Sequence, residues 1–260
     1  MIYLFSCDGT GNDGIRDRID SGKIKEYVCD TFDYFDRSAQ ALLTKVKPGD
    51  FIILDTIGAL METTRADIKL GKADSLYWEK VDNLMAGEVY GVTYKAARIL
   101  IMRRLKNLKN RGARIITIAH EREQRDESGL GRESSHQRAP DVAPQMYSDL
   151  LGSSSDIVRL SVLHKDIKDK DGKVRVPAGK RQLQLRATDE AIAKYQVLRE
   201  RSDSIPTHII EPTWQKLVAT LGKVPAWLTI YGLPGCGKTT LATDMVNFQN
   251  QSTDNKEESK

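Results

Sequence analysis

Short apolar runs alternate with longer amphipathic stretches along the first two thirds of the chain. Five runs of five to nine residues are rich in β-branched and aromatic side chains and predict buried strands. These runs are Ile2–Asp8, Glu26–Phe32, Phe51–Asp55, Arg114–His120 and Asp156–His164. Apolar residues at helical spacing predict three helices between and after them, at Ser38–Lys45, Val89–Asn110 and Ala143–Leu151. Alternation of this kind indicates an α/β fold with a mostly parallel central sheet flanked by helices.

Polar segments connect these predicted elements. Gly9–Gly22 is rich in Gly, Asp and Arg and predicts a loop, and Glu62–Lys80 predicts a long charged connection. Glu121–Arg138 has few apolar residues, so we expect a mobile loop there.

The last third of the chain predicts a hairpin and then a second series of elements. Asp171-Gly172 is a hairpin turn signal between the Asp156–His164 strand and a strand at Arg181–Arg186. The remaining predictions are a helix at Asp189–Arg201, an extended piece at Pro206–Ile210, a helix at Thr213–Leu221 and a strand at Trp227–Tyr231.

Composition indicates a soluble globular protein. The chain has 260 residues, of which 40% are hydrophobic and 29% charged, and these values suit one α/β domain over 1–250 with a disordered polar tail over 251–260. No apolar stretch approaches the roughly 20 residues of a membrane span, and no secretory leader precedes Ile2. Three cysteines without metal-ligand spacing indicate a reducing cytoplasm. The net charge of +4 neither requires nor excludes a nucleic-acid partner.

The most specific motif is Gly-Leu-Pro-Gly-Cys-Gly-Lys-Thr-Thr, close to the C-terminal end. It fits the P-loop pattern, in which backbone N–H groups surround a phosphate, the lysine reaches the terminal phosphates and the hydroxyl that follows binds Mg²⁺. The predicted nucleotide-binding residues are Gly232, Leu233, Pro234, Gly235, Cys236, Gly237, Lys238, Thr239 and Thr240. A predicted strand precedes the motif and a predicted helix follows it, as a P-loop requires. The alternative is a Gly-rich turn with a solvated lysine.

A P-loop needs a parallel sheet beside it and a carboxylate on a neighbouring strand. Since only one helix and a polar tail follow Thr240, the other strands must come from earlier in the chain. Phe51–Asp55 is an apolar run that ends in an acid, which is typical of a Walker B strand. We therefore predict a circular permutation. In ordinary chain order the P-loop unit would come first, and the chain would continue from it into Met1.

These motifs together resemble the RecA-type P-loop ATPases, especially the compact RecA-like proteins that phages encode for recombination and single-strand annealing. The resemblance covers most of the chain once Gly232–Asn250 is placed before Met1, and it includes a terminal β-hairpin. It implies an ATPase that uses ATP and Mg²⁺, assembles head to tail as a homo-oligomeric ring or filament, and works in the host-cell cytoplasm.

The resemblance also implies individual roles. Asp55 would hold Mg²⁺ together with Thr239, and Asp8 would position the attacking water. Because aspartate is one methylene shorter than the usual glutamate, hydrolysis could be slow. His120 would sense the γ-phosphate, and Arg186 would complete the site of a neighbouring subunit. Weaker substitutes are Asp13 for Asp8 and, for Arg186, the lysines Lys165, Lys168 and Lys180.

Each of these roles has a structural alternative. Asp55 could cap the residues that follow it, Asp8 could form a turn before Gly9, and His120 could simply end a strand. The four histidines are scattered, so a zinc site is not expected.

Single-stranded DNA is the partner that the resemblance implies. The candidate contacts lie in the two predicted loops, and aromatic side chains that can stack on bases accompany the cations in the first of them, Glu62–Lys80. They are Arg65, Lys69, Lys72, Trp78, Arg122, Arg125 and Arg132. Acids are mixed with these cations, which weakens the positive potential. Two other functions therefore remain open: a P-loop ATPase that switches or assembles a protein partner without nucleic acid, and a small-molecule kinase.

Overall fold

The computed structural model describes residues 1–9, 13–70, 90–125, 136–188, 191–194 and 205–245. Within them the chain forms two compact units. The first contains Met1–Ala119 and Asp141–Ser153, and the second contains His120–Pro140 and Ser154–Lys260. The prediction of one domain over 1–250 stays a prediction, and the tail at 251–260 lies outside the described residues. In the described part of the chain, no helix is long and apolar enough to cross a membrane.

The first unit has a parallel sheet. Its strands are β1 (Ile2–Ser6), β2 (Ile24–Val28), β3 (Phe51–Asp55) and the first half of β4 (Arg114–Arg125). The strand order is β2–β1–β3–β4, with every pair parallel. All residues of β1 and β3 are buried, which explains why both strands are nearly continuous apolar runs.

The described part of the first unit contains five α-helices, and threonine side chains cap two of them. The five helices are α1 (Arg16–Asp20), α2 (Phe32–Leu42), α3 (Ile57–Lys69), α4 (Tyr90–Asn110) and α5 (Pro144–Ser153). The hydroxyl oxygens of Thr31 and Thr56 accept from backbone N–H groups in the first turns of α2 and α3. Helix α4 matches its predicted range within one residue, and Gly112, with φ of 92°, follows its end.

Three predictions in this unit are wrong in part. Helix α2 begins six residues before the predicted start, because its first turn is fixed by tertiary contact: the Asp67 carboxylate accepts from the Phe32 N–H at 2.7 Å. Gly9–Gly22 contains a short 3₁₀ turn and α1 rather than a loop alone. Glu62–Lys69 belongs to α3. Charged residues alternate with the buried ones in this helix, so the sequence pattern did not indicate it.

The second unit is built around the P-loop strand, β11 (Trp227–Gly232). The other elements are β5 (His136–Pro140), β6 (Asp156–Val162), β7 (Ile167–Lys168), β8 (Val174–Val176), β9 (Arg181–Gln184), β10 (His208–Ile210), α6 (Trp214–Leu221) and α7 (Lys238–Thr243). Strand β11 is parallel to β6, from Leu228 opposite Asp156 to Tyr231 opposite Arg159. The pairs β6–β9 and β9–β10 are antiparallel.

Two predictions in the second unit are corrected. Within Glu121–Arg138, which we expected to be mobile, β4 continues to Arg125 and pairs antiparallel with β5, where backbone hydrogen bonds replace the missing apolar pattern. The described part of Asp189–Arg201 is not helical, because the Lys194 backbone exchanges two hydrogen bonds with Ile157 in an isolated bridge.

The Asp171-Gly172 turn joins β7 to β8 rather than β6 to β9. The Asp169 carboxylate accepts from the N–H groups of Asp171 and Lys173, and Gly172 has φ of 77°. This small hairpin lies between β6 and β9 along the chain and forms an antiparallel ladder of its own.

Helices α2 and α4 are joined by an ion pair. The Arg104 guanidinium donates twice to the Asp36 carboxylate, and the two side chains are only 12% and 14% exposed. Arg104 therefore does not belong to a solvated face, whereas its neighbour Arg103 is exposed.

We expect Arg104→Ala to lower the free energy of unfolding by about 2 kcal/mol, because it leaves the largely buried Asp36 carboxylate without its cation. The melting temperature should fall by about 5 °C. Arg103→Ala is the matched control and should leave it unchanged. Equal melting temperatures for the two variants would show that the pair contributes nothing.

Candidate functional site

The P-loop connects β11 to α7 in the second unit. Its glycines are needed for different physical reasons. A Cβ at Gly232 would lie 2.0 Å from the Leu160 carbonyl oxygen on β6, so no side chain fits there. Gly235 and Gly237 have φ of 75° and 90°, in the left-handed region that glycine adopts without strain. The loop can therefore turn sharply and present its backbone N–H groups.

Lys238 is the buried cation of the loop. Its side chain is folded back over the loop, where Nζ donates to the Gly232 carbonyl at 3.0 Å and to the Leu233 carbonyl at 2.9 Å. Only 6% of the residue is exposed. Thr239 and Thr240 follow in the first turn of α7, so all nine predicted loop residues form one continuous strand–loop–helix unit.

Cys236 packs beneath the loop. Its thiol donates to the Leu160 carbonyl at 3.4 Å, and burial raises the pKa of the thiol although the Lys238 charge opposes the shift. The thiol is therefore neutral near pH 7 and acts as a small buried contact between the loop and β6.

A buried glutamate lies among arginines close to the loop, and the sequence did not point to it. The Glu121 carboxylate accepts from Arg159 at 2.8 and 3.0 Å and lies 3.7 Å from the Arg138 Nε. Its side chain is only 1% exposed. This cluster went unnoticed because Glu121 falls in the segment that we predicted to be mobile; no local pattern indicates which of its acids is buried.

A cavity of about 720 Å³ opens beside the loop within the second unit. It is bounded by the loop tip, by the end of β6 and by polar side chains. Its lining includes Leu233, Pro234, Gly235, Cys236, Ser161, His164, Gln182, Glu123, Arg138 and Arg159. The volume is in the range of small-molecule and cofactor sites, and the charged lining favours a polar ligand.

The predicted Walker B acid lies in the first unit. Asp55 ends β3 and is 4% exposed, and its carbonyl accepts from the Cys7 N–H at 2.6 Å. The cap of α3 is the Thr56 hydroxyl, so the capping role that we considered for Asp55 is filled by its neighbour.

Asp8 lies at the same edge of the first unit, just beyond β1. The pKa of the Cys7 thiol is raised by its hydrogen bond to Cys29, by burial and by the charges of Asp55 and Asp8. Both carboxylates therefore act on one thiol at the carboxyl ends of β1 and β3. The turn at Gly9, with φ of 65°, follows Asp8 directly.

Oxygen donors suit Mg²⁺, and the predicted metal ligands Asp55 and Thr239 both supply oxygen. Asp55 belongs to the first unit and Thr239 to the second, so their joint role stays a prediction. Among the residues that the structure describes, no three His, Cys, Asp or Glu side chains form a metal-binding group.

Two predicted catalytic residues have unexpected positions. His120 does not end a strand, because β4 continues for five residues beyond it. Arg186 lies beyond the end of β9, which runs antiparallel to β6, so it is at the edge of the second unit away from the P-loop. Arg181, at the start of the same strand and opposite Val162, lies at the P-loop edge instead. The role of Arg186 in the nucleotide site of a neighbouring subunit stays a prediction.

The predicted DNA contacts are dispersed. Arg65 lies on α3, where its guanidinium pairs with Glu62 at 2.7 Å and covers the Tyr94 ring at 4.6 Å. Lys69 is exposed in the last turn of α3, and Arg122 and Arg125 lie on β4 rather than in a loop. Lys72, Trp78 and Arg132 lie outside the described residues.

Residues 11–197 match the model of the AAA domain family. The match covers more than half of the chain, and the protein belongs to this family. Membership indicates nucleoside-triphosphate binding and hydrolysis by a P-loop ATPase, usually with Mg²⁺, and the α/β fold with its mixed, mostly parallel strand pairing agrees. No curated protein matches the chain.

We expect Gly232→Ala to destabilise the second unit by about 3 kcal/mol, because the added Cβ overlaps the Leu160 carbonyl oxygen. Thermal unfolding measures the effect. The matched control is Gly152→Ala in α5, where a Cβ meets no atom within 4 Å and the helix gains slightly in stability. A Gly232→Ala protein as stable as the control would contradict this account of the loop.

Proposed function

We propose that this protein is a Mg²⁺-dependent ATPase with a circularly permuted RecA-like fold, acting on single-stranded DNA in recombination, repair or replication. The observation that carries the proposal is the P-loop itself. Its lysine is buried and donates to carbonyls of the same loop, and its glycines either admit no side chain or adopt a positive φ. A loop of this kind is suited to phosphate and to few other ligands.

Two observations support the permutation. Strand β11 pairs with β6, which precedes it in the sequence, so the P-loop strand joins a sheet built from earlier residues. The family match spans 11–197 and so contains Asp55 but not the P-loop. A chain whose P-loop strand has moved to the other end would give a match of this extent.

The chemistry follows from the residue types. When ATP binds, the Lys238 ammonium would exchange its two carbonyl partners for phosphate oxygens, and the loop N–H groups would donate to the same phosphate. Mg²⁺, held by Thr239 and Asp55, would neutralise charge on the phosphates. Asp8 would orient the attacking water, and His120 would register the γ-phosphate through β4.

Single-stranded DNA and a head-to-tail homo-oligomer complete the proposal, with Arg186 reaching a neighbour's site. The rival function is an ATPase that switches or assembles a protein partner. One observation favours the rival: Arg65, a predicted DNA contact, is already committed to Glu62 and Tyr94.

Lys238→Ala should abolish ATP hydrolysis and weaken ATP binding at least tenfold, because the terminal phosphates lose their buried cation. Phosphate release and a fluorescent ATP analogue measure the two effects. Lys170→Ala, an exposed lysine in the β7–β8 turn, is the control and should behave as the wild type. Unchanged hydrolysis in Lys238→Ala would rule out the P-loop as the ATPase site.

Single-stranded DNA should raise the rate of ATP hydrolysis several-fold, and high salt should remove the stimulation because the contacts are made with phosphates. Double charge reversal at Lys69 and Arg122, to Glu, should abolish the stimulation and leave the basal rate unchanged. Basal hydrolysis that no DNA alters would favour the protein-switching ATPase. Transfer of phosphate to a small acceptor without DNA would favour a kinase.

A further inference from the structure

Arg181 is the first residue of β9, and the direction of that strand places it at the P-loop. Strand β6 is parallel to β11, and the carboxyl end of β11 is the P-loop. Because β9 is antiparallel to β6, its first residue, Arg181, pairs with Val162 at the carboxyl end of β6. The start of β9 and the P-loop therefore share one edge of the second unit.

The Arg181 side chain lies against the last glycine of the loop. Its Nη1 is 3.0 Å from the position that a Cβ on Gly237 would occupy, and its Cδ is 3.7 Å from it. Gly237 directly precedes Lys238. A Cβ at this position would therefore be in tight contact with the guanidinium, in addition to the strain that the φ of 90° would impose on a side chain.

The backbone of Arg181 is held by two hydrogen bonds to Glu211. The Glu211 carboxylate accepts from the Arg181 N–H at 2.7 Å, and the Glu211 N–H donates to the Arg181 carbonyl at 2.8 Å. The guanidinium itself has no carboxylate, carbonyl or ring partner among the described residues. By contrast, the nearby guanidinium groups of Arg159 and Arg138 both face Glu121.

We propose that Arg181 binds the phosphates of the nucleotide from within the same chain, together with Lys238. Two cations flank Gly237: Lys238, whose partners are neutral carbonyls, and Arg181, which is half-buried and unpaired in the described structure. A planar guanidinium that donates two parallel hydrogen bonds matches a phosphate group better than any other side chain. This inference rests on the proposed nucleotide site and adds a specific contact to it.

The contact is with the phosphates that ADP and ATP share. The guanidinium lies at the glycine before Lys238, in the part of a P-loop whose N–H groups surround the β-phosphate. Arg181→Ala should therefore weaken the binding of ADP and ATP alike, each by about tenfold or more, since a charge-assisted hydrogen bond is lost. Arg181→Lys should recover part of the affinity, because it keeps the charge without the planar fork.

The experiment compares ADP and ATP binding by calorimetry for the wild type, Arg181→Ala, Arg181→Lys, Lys238→Ala and Lys170→Ala. Lys170, the exposed lysine in the β7–β8 turn, is the control and is expected to bind within twofold of the wild type. Melting temperatures without nucleotide show whether Arg181→Ala folds normally. If it does not, Arg181→Lys carries the comparison.

The outcomes separate this inference from the proposed function. Wild-type protein that binds neither nucleotide would end both. Wild-type affinity in Arg181→Ala, with loss in Lys238→Ala, would overturn the role of Arg181 alone. Loss of ATP binding with unchanged ADP binding would also overturn it as stated, because it would place the contact on the γ-phosphate.

A mixing experiment tests whether Arg181 acts within its own chain. Arg181→Ala protein has an intact P-loop, and Lys238→Ala protein has an intact Arg181. If the arginine served a neighbouring subunit, mixing the two variants at limiting ATP would raise ATP hydrolysis above the sum of their separate rates. We expect no such increase, and an increase would refute the same-chain assignment.

Discussion

The ladder between β11 and β6 is the constraint on which the candidate site depends. It brings Gly232 so close to the Leu160 carbonyl that only a hydrogen atom fits between them. The same carbonyl accepts from the Cys236 thiol, so one backbone group of β6 holds both the start and the middle of the P-loop. A loop that must bind phosphate through its backbone needs this support, because its own residues offer few side chains for packing.

Charge around the loop is arranged in two groups. Glu121 is nearly inaccessible to solvent and is compensated by Arg159 and Arg138, which makes a closed cluster with strong mutual pairing. Lys238 and Arg181 have no acid among their described partners and lie on either side of Gly237. Buried or half-buried cations without acids are costly unless an anion completes them, so the second group has the character of a binding site and the first that of a scaffold.

In the first unit, the acidic residues Asp8 and Asp55 lie at strand ends, and side chains of other residues bond the backbone N–H groups at the starts of helices. Thr31 and Thr56 satisfy the starts of α2 and α3 with their hydroxyls. Asp67 does the same for the Phe32 N–H from another helix. Because the Thr56 hydroxyl caps α3, Asp55 is not the cap of the helix that follows it, and this residue ends β3 at the edge of the parallel sheet.

The sequence by itself determined the elements whose signals are local. Continuous apolar runs identified β1, β3 and β11, helical periodicity identified α4, and the spacing of glycines and Lys238 identified the P-loop. Local signals were insufficient where pairing replaces hydrophobicity: the outer half of β4 is polar and is a strand only because β5 lies beside it. Helix α2 began early for the same reason, since its first N–H is capped by a residue 35 positions away.

Only the tertiary structure decided which cations meet the loop. Along the chain Arg181 and Arg186 are alike, since the first begins one short strand and the second lies just beyond its end. The antiparallel direction of β9 puts the first at the P-loop edge and the second at the other, and a strand's direction relative to its neighbour is not encoded in its own residues. Glu121 rather than Glu123 has the buried side chain, and this likewise depends on the position of its partner Arg159 on β6. Such choices depend on contacts between distant segments, which a pattern along the chain does not contain.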